Sequence, residues 1–562
     1  MMWEVNKPKK KGCMKWIYSH IRHRIPYLVV LMFSNIIGSY SAVIFSLSMR
    51  EVIDSASSGT MALLIKSCVI LGSIIIVRVV CGTLSLHLLE RLNADFDRDF
   101  KKSLIHKILH SEFSAISGYH SGDLVNRLNG DVRNTYTGVL TILSSLTSYV
   151  TSLVTAVCVL LGLAPTFTVA IVCISIVIAL LTLMIQRQMK ELHKQGSSAN
   201  GKVSGFYQEI IEKLLIVQAL DVSDEIEKRS DNLLEDRWQI QRRRKNISLT
   251  MNVGSNALSF IGGFVTLIWC AVKLLHGEIT FGELSAMTAL VSQLQTPMLM
   301  LPSIIPKFIS VFAASERLME IEDIASQSAP SDDDPMELYA VMQEISAHKL
   351  TFAYDRNPIM KEASFSIPKG GLTVIVGASG IGKSTLLKLL LGIYNPVSGE
   401  LAVRTPHGYI PVSRATRALF SYAPQGNLLL SGTLRDNLLI SRPNASEEEI
   451  KRALYVSAMN EYISSLPDGL DTNLGENGAG LSEGQAQRLS LARAVLSDAP
   501  ILLLDEVTSA LDAKTEATVL ERICALPDKT CIAVTHRPAA LELADYKLTV
   551  TEKSITLSEL KH

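Results

Sequence analysis

Long apolar runs occupy the first 310 residues of the chain, and charges become frequent only beyond Glu316. Ile25–Met49 carries no charged residue. Ser67–Leu86 follows Lys66 and is interrupted only by Arg78. Asn134–Gln186 has neither charge nor histidine over 53 residues, too long for one membrane crossing and right for two, with a turn near Ala164–Pro165. Asn246–Val272 and Leu284–Pro306 complete a predicted set of six spans. Each is about 20 residues or longer, enough for a hydrocarbon core of about 30 Å at about 1.5 Å per helical residue.

The loops alternate. Those after spans 1, 3 and 5 are short, whereas His87–Arg133 and Arg187–Lys245 are long, charged and helical in pattern. Lys7, Lys9, Lys10, Lys11, Lys15, Arg22 and Arg24 precede the first span, which places the N-terminus in the cytoplasm. Six crossings return the C-terminus to the same side, and the long loops read as helical stalks there. Ser326–Pro335 is polar, acidic and turn-rich, a linker by composition. From about Val341, short aliphatic runs such as Leu372–Val376 and Ile501–Leu504 alternate with helical stretches, the pattern of a soluble α/β domain.

Composition narrows the class. The 562 residues have a formal net charge of zero, which argues against a nucleic-acid partner. Residues of hydrophobic type make up 48% of the chain, in keeping with membrane spans. Among the eight cysteines no C-x-x-C pair occurs, so they are read as small apolar residues and not as a disulfide framework or metal site. No small-residue cleavage site follows the first apolar run, so a cleavable signal peptide is not expected. Arg78 within a span should face a cavity or a partner, or else snorkel or pair locally, since a mid-membrane charge costs at least about 2.5–3.5 kcal/mol. Asn252, Asn256, Gln293 and Gln295 are read as helix–helix hydrogen-bonding residues, with cavity lining as the alternative. Pro297, Pro302 and Pro306 should kink the last span.

The chemistry lies in the second half. Gly377-Ala378-Ser379-Gly380-Ile381-Gly382-Lys383-Ser384-Thr385 matches G-x-x-x-x-G-K-[ST] between a strand and a helix. Its glycines let backbone N–H groups curl around phosphates, Lys383 reaches the β- and γ-phosphates, and the Ser384 hydroxyl is a ligand for Mg²⁺. Ile501–Leu504 reads as a buried parallel strand that delivers Asp505 and Glu506 to its C-terminal edge, where such sheets bind ligands. Asp505 is expected in the Mg²⁺ shell, and Glu506 as the group that polarises the attacking water. His536, after the strand Thr530–Val534, is placed to contact the γ-phosphate.

GASGIGKST, YAPQ (422–425), LSEGQ (481–485), ILLLDE, SALD (509–512) and VTH (534–536) follow one another in an order that resembles the nucleotide-binding domain of ABC transporters. The preceding segment, with HSGDLVNRLNGDV (120–132) and VSGFYQEIIEKLLIVQAL (203–220), resembles the exporter-type transmembrane domain. The resemblance implies a bacterial half-transporter: a six-helix transmembrane domain in 1–325, a linker in 326–340, and an α/β P-loop ATPase domain with a helical subdomain in 341–562. It implies ATP and Mg²⁺ as cofactors. Tyr354 would stack on adenine, Gln425 would touch Mg²⁺ or the attacking water, and Asp512 would lie at a dimer interface. Glu476 would lean on the stalks, and coupling helices would lie near Phe113–Tyr119 and Tyr207–Lys213. Ser482 and Gly484, with Gln485 of the same motif, would cap a nucleotide held by another chain's P-loop, so a second copy is the implied partner. The implied activity is ATP-driven export across the bacterial inner membrane of a peptide, lipid or drug-like substrate, peptide-like favoured. A lipid flippase, an exporter-fold importer and a regulatory half of a heterodimer are the alternatives. A fused peptidase domain before the first span is not expected.

Overall fold

The computed structural model describes residues 10–119, 121–327, 329, 334–354, 358–426, 428–475, 480–551 and 554–560. Glu476 and His120, and the side chain of Asn252, lie outside the described residues. The chain divides into two compact units, Met1–Leu109 with His120–Asp323, and His110–Tyr119 with Ile324–His562.

The first unit is built of long helices. Ile25–Ser57, Met61–His110, Val132–Leu163, Pro165–Glu212, Ser223–Leu275 and Phe281–Met300 follow one another, and the last continues through a 3₁₀ turn into Ile304–Glu322. Four described stretches are long and apolar enough to cross a membrane: Gly12–Ser57, Met61–His110, Ser121–Leu163 and Phe281–Glu322. The other two helices contribute shorter apolar stretches, Pro165–Val177 and Ser259–Leu275. The break at Ala164 has a local cause: Pro165 fits the first turn of a new helix and cannot continue the old one. Pro297 lies inside its helix, and Pro302 sits in the 3₁₀ turn that interrupts the last span.

Where these helices meet, Val43, Leu160, Phe167, Met287 and Leu294 form an apolar core. Short polar side chains add cross-helix bonds. Asn35 Nδ2 donates to Ser144 Oγ at 2.9 Å, and Gln293 Nε2 donates to Ser46 Oγ at 2.8 Å. Gln295 is buried against Gly262, where an added Cβ would come within 2.0 Å of its amide nitrogen. Both glutamines therefore serve helix packing. Arg78 is exposed and its guanidinium lies over the Phe45 ring, 5.2 Å from the centroid, a local partner for the one charge in its run.

A π-helical turn, Arg127–Asp131, opens the third span. Its charges are buried and paired: Arg127 donates to Asp123 and Glu320, both at 2.9 Å, and Arg317 forks onto Asp131 at 2.7 and 2.5 Å. The long fourth helix runs to Glu212, within the Tyr207–Lys213 stretch read as a coupling helix, and a short helix, Leu214–Ala219, follows it. Lys213, with φ −108° and ψ 21°, leaves the helical region and makes the break. Of the cysteines, Cys13, Cys270 and Cys531 are buried as expected, whereas Cys68, Cys158, Cys173 and Cys524 are exposed. The first three of these exposed thiols lie on long apolar helices whose outer faces are open in a single chain.

The second unit holds two main sheets. The larger runs Ile555–Glu559, Tyr546–Val550, Gly371–Val376, Thr530–Val534, Ile501–Asp505, Phe420–Ala423, parallel except for the first strand. Thr530–Val534 and Ile501–Asp505 are buried along their whole length, in keeping with sequences that are apolar except at Thr530 and Asp505. A four-stranded antiparallel sheet, Pro358–Pro368, Glu344–Ala353, Ser398–Thr405, Gly408–Pro411, packs with the larger one around Ile345, Leu386, Leu503 and Val534. Helices 434–439, 447–456, 460–465 and 483–496 surround a separate core of Leu438, Met459 and Leu489. The segment 326–340 includes packed residues: Tyr339, on the helix Pro335–Val341, is 5% exposed and shares a 2.8 Å hydrogen bond with Thr530. His110–Tyr119 joins this unit because Glu112 N donates to Ala325 O and Gln327 N to His110 O.

Candidate functional site

Parallel pairing in register brings four strand ends to one edge. Val534 sits opposite both Ile375 and Asp505, and Ala423 opposite Leu504. The residues that follow these ends therefore emerge side by side: the loop 377–382, Glu506, Thr535–His536, and Pro424–Gln425. This is the crevice outside the carboxyl ends of a parallel sheet.

The first of these loops turns through Gly380 and Gly382, with φ of 78° and 106°. At Gly382 a side chain would be strained by that φ, and its Cβ would also lie 2.5 Å from Ile359 Cγ2. The helix Lys383–Leu390 begins immediately, so its first N–H groups open onto the loop. Lys383 is 6% exposed, and its ammonium donates to the carbonyls of Gly377 and Ala378, both at 3.0 Å. Ala378, Ser379 and Gly380 are exposed. Thr385 shares a 3.1 Å hydrogen bond with the hydroxyl of Tyr354, whose ring is 48% exposed.

Asp505 and Glu506 are adjacent but differently held. Asp505 is 2% exposed, and each carboxylate oxygen receives a hydroxyl: Ser384 donates to Oδ1 at 2.8 Å and Tyr422 to Oδ2 at 3.1 Å. Burial pushes the Asp505 carboxyl above the ordinary range, opposed by those two donors. Burial and the neighbouring Asp505 charge push the Tyr422 phenol up, so it stays protonated and a donor. Glu506 has a φ of 52°, rare for a residue with a side chain, and its N–H is fixed by Val534 O at 3.0 Å. Its carboxylate receives the Gln425 amide N–H at 2.6 Å, with His536 Nε2 at 3.9 Å from the other oxygen.

The remaining expected site residues form a second group. Ser482 caps the helix Glu483–Leu496: its hydroxyl accepts from Gln485 N at 3.3 Å, and the Gln485 side chain accepts from Ser482 N at 2.8 Å. LSEGQ is thus a capping box, and Gln485 is committed to it. Gly484 is required by close approach, since a Cβ there would stand 2.9 Å from Ala510 O. Asp512 caps the helix Ala513–Cys524 by accepting from Lys514 N and Thr515 N, and those backbone bonds hold its carboxyl below the ordinary range. Ser482, Glu483 and Asp512 are exposed. Among the described residues, no hydrogen bond or ion pair joins Ser482, Gly484, Gln485 or Asp512 to 377–385.

Three residues that sequence reasoning passed over hold the site together. Tyr422 reaches Asp505 because its strand lies beside Ile501–Asp505, an adjacency that no local motif states. Gln487 ties the LSEGQ helix to the SALD turn, donating to Ser509 Oγ and accepting from Ala510 N, both at 3.1 Å. Arg537 donates to Ser509 O at 2.7 Å and approaches the buried Glu516 at 3.4 Å.

The donor set suits a hard cation. Ser384 hydroxyl, Asp505 carboxylate and the Gln425 amide oxygen are all oxygen groups, and among the described residues no cluster of three His, Cys, Asp or Glu could supply a metal cage. Mg²⁺ takes few protein ligands and completes its octahedron with water and phosphate. The residues present fit that ion.

Comparison with known proteins gives two family matches. Residues 28–298 match the ABC transporter transmembrane region, and residues 360–509 match the ABC transporter family. The mycobactin import ATP-binding/permease protein IrtB of Mycolicibacterium smegmatis is 31% identical over 364 residues, 63% of this chain and 62% of that protein. A putative multidrug export ATP-binding/permease protein of Staphylococcus aureus is 28% identical over 462 residues, 80% of this chain and 78% of that protein. The solved structure of a bacterial Atm1-family ABC exporter with ATP bound superposes with a TM-score of 0.81, covering 96% of this chain and 95% of that one at 20% identity.

Proposed function

We propose that this chain, which belongs to the ABC transporters and joins their transmembrane region to their ATP-binding domain in one polypeptide, is one half of a homodimeric exporter of a peptide-like, lipid or drug-like substrate. The observation that carries this reading is the meeting of 377–385, Asp505, Glu506, Gln425 and His536 at one sheet edge.

Each group there has a role it can perform. The loop's N–H groups and Lys383 cradle the phosphates of ATP, and Tyr354 offers a half-exposed ring to adenine. Ser384, Asp505 and the Gln425 amide oxygen would hold Mg²⁺, which neutralises phosphate charge when bound. Gln425 already spends its amide N–H on Glu506, which leaves its oxygen for this purpose. Glu506 orients and polarises the water, and His536 lies close enough to share a contact with the γ-phosphate.

Ser482 and Gly484 open the LSEGQ helix at an exposed surface apart from this chain's own P-loop. We assign them, with Asp512 at the interface, to the nucleotide of a second copy. ATP would close the two domains and turn the transmembrane cavity outward, and hydrolysis would reset it. The same reading places the protein in the bacterial inner membrane with both termini cytoplasmic, supported by the basic N-terminal run.

Inward transport is a second reading, favoured by the 31% identity to a mycobactin import protein. Reconstituted protein assayed with peptides, lipids and drugs tests both. We expect Mg²⁺-dependent ATPase activity stimulated at least about twofold by one class, with that class accumulating in inverted vesicles. Accumulation only in right-side-out vesicles would favour import. Absence of Mg²⁺-dependent ATPase would overturn both.

A further inference from the structure

We propose that Tyr422 is a positioning residue for the Mg²⁺ site, its phenol O–H fixing the Asp505 carboxylate in the orientation that the ion requires. The proposal rests on the reading of this edge as an ATP site.

A buried carboxylate needs a donor on each oxygen, because no water compensates for one left bare. The terminal torsion of Asp is broad and roughly two-fold, so one hydrogen bond leaves the plane of the group poorly defined. Two donors on different oxygens define it. Ser384 holds Oδ1 at 2.8 Å, and Tyr422 holds Oδ2 at 3.1 Å. These two donors are not equivalent. The Ser384 hydroxyl is itself assigned to the ion, so its geometry must serve two partners. Tyr422 has no such second duty, and its reference is the sheet. It sits on Phe420–Ala423, paired in register with Leu503, while its neighbour Ser421 anchors the same strand by donating to Ala494 O at 2.8 Å. The orientation of Asp505 is thereby tied to two adjacent strands. Outer-shell partners of metal-binding carboxylates act in this way, and their loss typically costs about 10–100-fold in metal affinity.

Tyr422→Phe keeps the ring and removes only the donor. In reconstituted full-length protein, the Mg²⁺ concentration for half-maximal ATPase should rise about tenfold, with a smaller change in kcat. A second readout does not depend on turnover. In ATP-bound protein carrying Glu506→Gln, Mn²⁺ binding followed by electron paramagnetic resonance should weaken by a similar factor when Tyr422→Phe is added. Fluorescent-nucleotide binding in EDTA should be unchanged by Tyr422→Phe. Ser421→Ala is the control for strand loosening and should leave the metal dependence alone. Equal metal dependence in wild type and Tyr422→Phe, or an equal shift from Ser421→Ala, would overturn the proposal. If Tyr422→Phe does not fold, the phenol is a structural support and the proposal also falls. Wild-type protein without Mg²⁺-dependent ATPase would instead remove the ATP-site reading beneath it.

Discussion

Asp505 and Glu506 are neighbours in sequence and opposites in setting. Asp505 ends a buried strand, whereas Glu506 enters the left-handed region and turns its partly exposed carboxylate toward Gln425 and His536. Such a backbone strain costs on the order of 1–3 kcal/mol and persists where the surroundings impose it. Glu506→Gln keeps the shape of the side chain and removes the charge that would polarise water. We expect kcat to fall about 10²–10³-fold, equivalent to about 3–4 kcal/mol of transition-state stabilisation, while ATP remains bound. Phosphate release and nucleotide retention measure the two halves of that statement, and hydrolysis within about tenfold of wild type would contradict it. The pair of acids was readable in ILLLDE because four apolar residues announce a buried strand. The strain at Glu506 and the phenol on Asp505 were not, since a φ angle and a neighbouring strand leave no local trace.

Short elements bring residues from distant parts of the chain together. The helix Phe113–Ile116 lies within the second unit, and Tyr394 connects it to Tyr354. The Tyr394 ring is edge-on to Phe113 at 5.7 Å and to Tyr354 at 5.2 Å. Edge-to-face pairs contribute about 0.5–1.5 kcal/mol beyond the area they bury, enough to bias a short loop by several-fold. We expect Tyr394→Leu to cut substrate stimulation of ATPase at least about threefold, with basal turnover less affected; equal stimulation in the two proteins would separate Tyr394 from coupling. In the sequence the resemblance marked a coupling helix near Phe113–Tyr119, but its contacts with Ala325, Gln327 and Tyr394 were not legible, because those residues lie far along the chain. The break at Ala164 was readable for the opposite reason: proline acts on its own backbone. LSEGQ lies between these cases. Its motif was visible, and its capping box is local to Ser482 and Gln485, but the Gln487 latch appears only when the SALD turn is beside it.

At the scale of the whole molecule, one chain leaves several surfaces unfinished. Ser379 and Gly380 face solvent, and Ser482 and Asp512 do so in a different group. On the short helix Leu214–Ala219, Leu215 is 80% exposed and Ile216 55%, an apolar patch that needs a cover. A second copy would supply a signature for each P-loop, which is why we expect a homodimer with two equivalent composite sites. Mixing inactive variants tests this. Lys383→Ala removes the ammonium assigned to the phosphates, and Ser482→Arg places a bulky cation at the capping end of the LSEGQ helix. In a mixed dimer, one composite site pairs the Lys383→Ala P-loop with the Ser482→Arg signature and carries both defects. The other pairs an intact P-loop with an intact signature. ATPase should therefore return in the mixture to about a quarter of wild type, because about half of the dimers are mixed and each has one working site. Sites within single chains would give no such recovery, since every chain carries a defect. Native mass spectrometry supplies the independent measurement: a mass of two identical chains is expected, and a monomer or an obligatory different subunit would overturn the homodimer. A true dimer of identical chains without recovery would mean that both sites must fire together, which a covalently linked dimer with a single defective site would then reproduce as full inactivity.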